Sequence, residues 1–414
     1  SRNITRIGDT GPIFWAGASG SNVLDVDGNV YVDLTAGFGV AAAGHGNPAV
    51  RDALAGQGAR LLHALGDVHP ADVKVELLER LAALAPGDLG VSILSANGGD
   101  AVESAWKTAV LATGRTGAIA FHGAYHGLGL GALALTAEDR FRAPFRRQLY
   151  GGVRFVPYPA SDDGPRPPRC AVDAETSLAA VREAVAGAAG GADAVGAVFV
   201  EPVLGRGGIV VPPSDFLPRL RALCSELDVL LVLDEVYTGL GRTGRWFACE
   251  HGDVVPDVLV VGKSLAGGLP LSAAIGTPEV MAAWPSSEGE AIHTSTFLGN
   301  PVACAAALAQ LRAIEEGGLV ERAAALGAWL RERLEDIARR HGLAGARGVG
   351  LMQALVLGDG EGTGARALAV AEGALRRGVI VLTEGDALAF TPPLTITEEQ
   401  VVAALAAIEL ELAR

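Results

Sequence analysis

A lysine stands where an apolar run leaves the core: VLVVG ends in Lys263, and the small-residue loop SLAGG follows. Other apolar runs end in polar residues of equal interest. VLLVL ends in Asp234-Glu235, AVFV in Glu201-Pro202 and VSILSAN in Gly98-Gly99, while GAIAF leads to His122-Gly123-Ala124-Tyr125-His126-Gly127. In open parallel sheets, ligands sit beyond the carboxyl ends of the strands, so these residues are expected to converge. Each has a plain structural reading on its own, since a strand-end lysine usually reaches for solvent and an aspartate often caps a turn. Together they ask for one explanation.

Burial disfavours the ammonium form of lysine, so a partly desolvated Lys263 is expected to have a lowered pKa and a free amine that attacks carbonyls. Pyridoxal phosphate is a carbonyl compound whose other demands the remaining positions meet. Its pyridine nitrogen draws electrons only when protonated, which needs a carboxylate such as Asp234. Its phosphate needs backbone N–H donors at a helix start. SANGGDAVESAWK supplies Gly98 and Gly99 between a strand pattern and a helix pattern. Its ring needs a face to stack on, for which Tyr125 is the candidate.

Competing motifs explain less. Gly262-Lys263-Ser264 resembles the end of the phosphate loop G-x-x-x-x-G-K-[ST], but Asp257 stands where the first glycine belongs. Gly239-Leu240-Gly241-Arg242-Thr243-Gly244 matches the dinucleotide fingerprint G-x-G-x-x-G. It does not follow its strand directly, and RWFACEHGD after it is not a clear helix. His122 and His126 have the spacing of a metal pair, but Gly123 and Gly127 argue for a loop, so ordinary hydrogen-bonded histidines and no metal are expected. No G-x-S-x-G elbow is present.

The elements that must position these residues follow a rhythm. VSIL, GAIAF, VRFVPY, AVGAVFVEP, VLLVLDEV and VLVVGK are short, nearly unbroken apolar runs, and DAVESAWKTAVLAT, TSLAAVREAVAGA and DFLPRLRALCSEL are helical patterns between them. Strands buried on both faces and alternating with helices imply a mostly parallel sheet covered by helices. Upstream, VLDVDGNVYVDL (23–34) reads as a hairpin around Asp27-Gly28, and PAVRDALAGQGARLLHAL (48–65) as a helix. PASDDGPRPPR (159–169) is a proline-rich surface loop. After residue 300 come long amphipathic helices, including GLVERAAALGAWLRERLEDIARRHG, then the strand candidates GLMQALVL and VIVLT and a final helix. No internal repeat is present. The division expected is 1–50 and 296–414 forming a small α+β domain around a large α/β domain at 51–295.

Composition sets the class. The 414 residues are 50% hydrophobic and 19% charged, which describes a well-buried globular chain rather than a disordered one. A net charge of −14, from 47 acidic against 33 basic residues, argues against a nucleic-acid groove. Cys170, Cys224, Cys249 and Cys304 form no C-x-x-C pair, so a reducing cytoplasm is expected. No apolar run is long enough to span a bilayer, and SRNITRIGDTGP lacks the apolar stretch of a secretion signal.

In motif content and order the chain resembles the class III, or omega, aminotransferases of the fold type I pyridoxal-phosphate enzymes. The resemblance rests on NGGDAVESAWK, AYHG, EPVLGRGG, LDEVYTGLGRTG, VVGKSLAGGLPLSAAIG, HTSTFLGNP, RGVGLM and PPLTI, and covers nearly the whole chain. It implies a large domain with a mostly parallel, seven-stranded type of sheet between helices, plus a smaller α+β domain from both termini. It implies a homodimer with shared active sites. Lys263 matches the lysine that bonds the cofactor and shuttles protons, Asp234 the partner of the pyridinium nitrogen, and Val236 the residue packed behind the ring. Gly98 and Gly99 match the phosphate cradle, Tyr125 the stacked aromatic, and Glu201 the glutamate of the EP motif. Thr296 matches the threonine that reaches the phosphate of the neighbouring subunit.

Departures from the family pattern bear on substrate. The phosphate pair is commonly Gly-Ser, and here it is Gly98-Gly99. Leu128 and Ala389 stand where many members carry carboxylate-gripping arginines, and EPVQGEGG becomes EPVLGRGG through Leu204 and Arg206. Losing a bidentate grip costs several kcal/mol of carboxylate binding. The expectation is therefore ping-pong amino transfer from an amine or amino acid to a 2-oxo acid or aldehyde, outside the standard 4-aminobutyrate and acetylornithine activities. Trp15, Phe38 and Leu128 would face the donor, and Arg206 is a relocated carboxylate grip. The alternative on the same fold is a racemase, epimerase, mutase or decarboxylase, distinguished by inversion or carbon dioxide release from a single amino acid without keto acid. A chain that has lost catalysis is the third reading, disfavoured by Lys263, Asp234 and the glycine pair.

Overall fold

A computed structural model describes residues 11–167, 170–188, 194–358 and 364–414. The first ten residues and the last two of the proline-rich loop 159–169 lie outside the described residues. The central element is a seven-stranded sheet. From one edge its strands are Val91–Ser95, Ser272–Gly276, Val258–Val261, Leu230–Asp234, Val195–Val200, Gly117–Phe121 and Val153–Val156. All neighbours pair in parallel except Ser272–Gly276, which runs against both of its partners. The six apolar runs are six of these strands. The seventh, SAAIG, is composed mainly of small residues.

The runs are unbroken because both faces are covered. Ala118, Ala120, Phe199, Val232 and Val260 pack with the helix Gly98–Thr113 on one face, while Ile119, Phe121, Val200, Leu233 and Val261 enter the larger core on the other. Alternate strand residues point to opposite faces, so each must be apolar to be buried. Each of the larger side chains, valine, leucine, isoleucine or phenylalanine, contributes about 1.5–3 kcal/mol by leaving water. Asn97 caps the helix Gly98–Thr113 by accepting the Asp100 N–H at 3.1 Å, and Gly114 ends it at a φ of 67°.

Both ends of the chain build the remainder. The hairpin strands Asn22–Asp25 and Val30–Asp33 pair antiparallel, and the Asp25 carboxylate accepts bonds from the Asp27 and Asn29 N–H groups and the Tyr31 hydroxyl. Val379–Ile380 joins them in parallel beside Val32 and Asp33. A second sheet runs Gly345–Val349, Met352–Val356, Ala387–Phe390 and Leu382–Glu384. VIVLT is therefore two strands in two sheets, not one. The run stays apolar through the crossing because Val381, between the two strands in sequence, is itself buried. The helix expected over 48–65 ends at Arg60, where Leu61 turns extended (φ −160°, ψ 110°). Gly56 and Gly58 weaken its last turns. Pro301–Glu316 packs on Pro48–Arg60, Asp72–Leu84 and the turn that begins at Lys263. The whole is α/β, with a mostly parallel seven-stranded sheet and a smaller α+β part.

Candidate active site

Lys263 follows the strand Val258–Val261 and opens the turn Lys263–Ala266. Its φ is +43°, a left-handed conformation that costs a non-glycine residue of order 1–3 kcal/mol and recurs at functional sites. Its amine lies 3.4 Å from the centroid of the Tyr237 ring. Burial brings its pKa down to about 8, against the opposing pull of Glu201 and Asp234. With a pKa of about 8, about one amine in ten is neutral at pH 7, and that form is the nucleophile.

Asp234 ends the next strand and is fixed through both oxygens. Oδ2 lies 2.7 Å from His126 Nδ1, and Oδ1 accepts the Val236 N–H at 3.0 Å. His126 is buried, which works to lower its pKa, but the hydrogen bond and charge of Asp234 outweigh this and the pKa is raised. The contact with His126 keeps the Asp234 carboxylate in one orientation. Sequence reasoning treated His126 as an ordinary histidine, and only the fold shows what it orients.

The glycines form a close-packed cradle. A Cβ on Gly98 would sit 2.9 Å from Val236 Cγ1, and one on Gly127 would sit 2.8 Å from Gly99 Cα. The first N–H groups of the helix that Gly98 opens have no partner within it, so the cradle presents donors and a positive dipole end to an anion.

Glu201 is buried below this loop. It accepts the Tyr125 N–H at 2.9 Å and the Gly205 N–H at 3.0 Å, and burial pushes its pKa to about 7. Arg206 lies 5.0 Å over the Tyr125 ring and 3.6 Å from Glu384 Oε1. The Arg206 Nε–H is buried and has no hydrogen-bond partner among the described residues. Burial raises the Glu384 pKa to about 7.

A cavity of about 370 Å³ gathers Gly98, Gly99, Tyr125, Leu128, Glu201, Arg206, Asp234, Val236 and Lys263 on its walls, with His126 and Tyr237. Trp15, Phe38 and Thr296 are exposed and do not line it. Tyr237 and Glu384 were not singled out from sequence. Tyr237 sits inside LDEVYTG, so its nearness to Asp234 was a usable signal, whereas Glu384 is brought in only by the second sheet. The G-x-G-x-x-G segment forms turns and opens no helix, and its Arg242 donates to the Leu351 and Pro392 carbonyls. Among the described residues, no group of three His, Cys, Asp or Glu side chains is placed to hold a metal ion.

The aminotransferase class-III family model matches residues 6–412. A putrescine aminotransferase of Pectobacterium atrosepticum is 38% identical over 409 residues, spanning 96% of this chain and 82% of that protein. An amine transaminase from an uncultivated Pseudomonas species, solved in its PLP-bound form, superposes with a TM-score of 0.90 at 29% identity over 100% of this chain and 99% of its own. The ornithine aminotransferase of Toxoplasma gondii gives 0.85 at 30% identity, over 99% and 92%. An (S)-enantioselective omega-transaminase from Thermomicrobium roseum gives 0.86 at 29%, over 96% and 93%.

Proposed function

Because the chain belongs to the class III aminotransferases, we propose that its cavity moves an amino group from an amine donor to an oxo acceptor with Lys263 as the reacting amine. It is a pyridoxal-phosphate-dependent transaminase of fold type I. The observation that carries the site assignment is a lysine amine of lowered pKa sharing one cavity with a clamped aspartate and a helix N-terminus.

The residues fit the cofactor. Gly98 leaves no room for a side chain between the helix start and Val236, so backbone N–H groups face the phosphate position. Bound pyridoxal phosphate supplies an aldehyde for the lysine amine and, when protonated on nitrogen, a ring that accepts the electron pair left by a breaking carbon–hydrogen bond. Asp234, held by His126 and the Val236 N–H, keeps the proton on that nitrogen. Val236 and Tyr125, both on the cavity wall, would bracket the ring. Lys263 Nζ would accept the proton released by the donor carbon and hold it as ammonium until it is given back to the reacting carbon frame. Glu201 fixes the loops carrying Tyr125 and Gly205.

Arg206 is the carboxylate grip, since it carries a buried N–H without an acceptor and a loose ionic partner in Glu384. Leu128 and Ala389 supply no such grip, which sets the chain apart from standard 4-aminobutyrate and acetylornithine enzymes. Leu128 faces an apolar or distally charged donor from the cavity wall, whereas Trp15 and Phe38 lie outside that wall. A relative named for putrescine places diamines first in the panel.

The working unit is a homodimer in which Thr296 reaches the partner's phosphate site. The exposed apolar side chains of Leu62, Leu65, Val68, Ile292 and Phe297 support this. The domain division is 1–50 with 296–414 around 51–295, and the compartment is the cytoplasm. Among the described residues no disulfide joins the four cysteines, and no helix is long and apolar enough to cross a membrane.

The test pairs diamines, ω-amino acids, aminosugars and hydrophobic amines with pyruvate and 2-oxoglutarate. Turnover with at least one pair, abolished in Lys263→Ala, is expected. Wild-type protein that leaves the cofactor spectrum unchanged with every donor would overturn the reading.

A further inference from the structure

The contact beneath the Lys263 amine goes beyond the roles assigned above. Among the described residues, no hydrogen bond or ion pair reaches Nζ, and the Tyr237 ring centroid lies 3.4 Å away. We propose that Tyr237 is a positioning residue whose ring face seats the Lys263 amine whenever that amine carries no bond to another molecule. This rests on Lys263 being the reacting amine.

The ring is built into place from three sides. Its hydroxyl lies 2.9 Å from Thr391 Oγ1, which also donates weakly to the Thr35 carbonyl at 3.4 Å. A Cβ on Gly39 would fall 2.5 Å from Tyr237 Cε2, and one on Gly205 would fall 2.6 Å from Cδ1. Gly39 has a φ of +83°, so both the turn and the close approach require glycine there. Loops from the amino-terminal hairpin, the Glu201 strand and the second sheet thus meet on one ring and hold it under one amine.

The chemistry suits an amine that must gain and lose a proton. A carboxylate in direct contact would hold Nζ as ammonium, and an apolar wall would leave a buried cation without compensation. A ring quadrupole lies between these extremes. The charged groups that face Nζ are Glu201, Asp234 and Glu384, which favour the cation, and Arg206, which opposes it. Glu201 is held by backbone N–H groups, Asp234 by His126 and Glu384 by its ion pair with Arg206, so none of the three contacts the amine. The ring is left as the contact that sets where the free amine waits.

The test labels this chain, stripped of cofactor, with acetic anhydride across a pH series. Acetylation of the Lys263 peptide is followed by mass spectrometry, and the rate tracks the neutral amine. Tyr237→Phe keeps the ring face, and its labelling midpoint is expected to stay at the wild-type value. Pentafluorophenylalanine incorporated at 237 keeps the shape but removes the negative face, and the midpoint is expected to fall by about half a pH unit or more. Equal midpoints for the Phe and pentafluorophenylalanine proteins overturn the proposal, as does a Phe midpoint displaced as far as the fluorinated one. Failure of the amino-transfer reading would show separately, as absent turnover in reloaded wild-type enzyme.

Discussion

Asp234 spends one hydrogen bond from each oxygen on His126 and the Val236 N–H, yet a carboxylate has further lone pairs to offer a ring nitrogen. Removing its charge while keeping its shape tests that role. Asp234→Asn should lower kcat by about 10- to 100-fold, the worth of a charge-assisted hydrogen bond, with little change in melting temperature. Steady-state kinetics beside a thermal melt will decide. Two other buried carboxyls, Glu201 and Glu235, and the partly buried Glu384 couple stability to pH. Burial raises Glu201 and Glu384 to about 7 and Glu235 to about 6, from an ordinary 4.5. Their folded forms hold protons more tightly than the unfolded chain does. Their contribution is therefore intact below 4.5 and is lost as pH rises through the window to about 7. Glu384→Gln should flatten the fall of melting temperature across that window, and an unchanged slope would count against a buried Glu384. Lys263 and Asp234 were legible in sequence because strand-end polar residues interrupt apolar runs. Glu384 and the orienting role of His126 were not, because long-range contacts define them.

At the scale of elements, six of seven strands could be read because burial on both faces demands unbroken apolar runs. SAAIG has the burial but little bulk, so its pattern is faint. VIVLT hid a crossing between two sheets, since an apolar run of that length carries no mark of which partner each half pairs with. The Gly98–Thr113 helix start was legible from the glycine pair between a strand pattern and a helix pattern, and its reason is steric as well as electrostatic. Gly98→Ala would set a methyl 2.9 Å from Val236 Cγ1. We expect it to cost about 1–3 kcal/mol of stability, by analogy with overpacked cores, and to weaken cofactor binding. Denaturant titration and a cofactor binding isotherm measure the two effects, and binding at wild-type affinity would mean the cradle is roomier than described.

At the scale of the molecule, the segments around Leu62 and Phe297 lie together. Asn300 Nδ2 donates to the Leu62 carbonyl at 3.0 Å, and the His63 and Phe297 rings stand 5.7 Å apart. Phe297 is 68% exposed and Leu62 66%, an apolar surface that a single chain leaves in water. If the proposed dimer forms through this surface, Phe297→Glu should shift the protein toward a monomer in sedimentation and reduce activity with it, because Thr296 would no longer reach a partner's phosphate site. Sequence named Thr296 and the dimer through resemblance alone, since nothing in one chain's residue pattern displays a surface shared by two. The central claim can be read from the whole chain at once, which carries three lysines, Lys74, Lys107 and Lys263. Saturate the protein with pyridoxal phosphate, reduce it with borohydride, and map the modified peptide by mass spectrometry. The account predicts one cofactor adduct, on Lys263, that disappears when a competent amine donor is added before reduction. An adduct on Lys74 or Lys107 instead, or none at all, would contradict it.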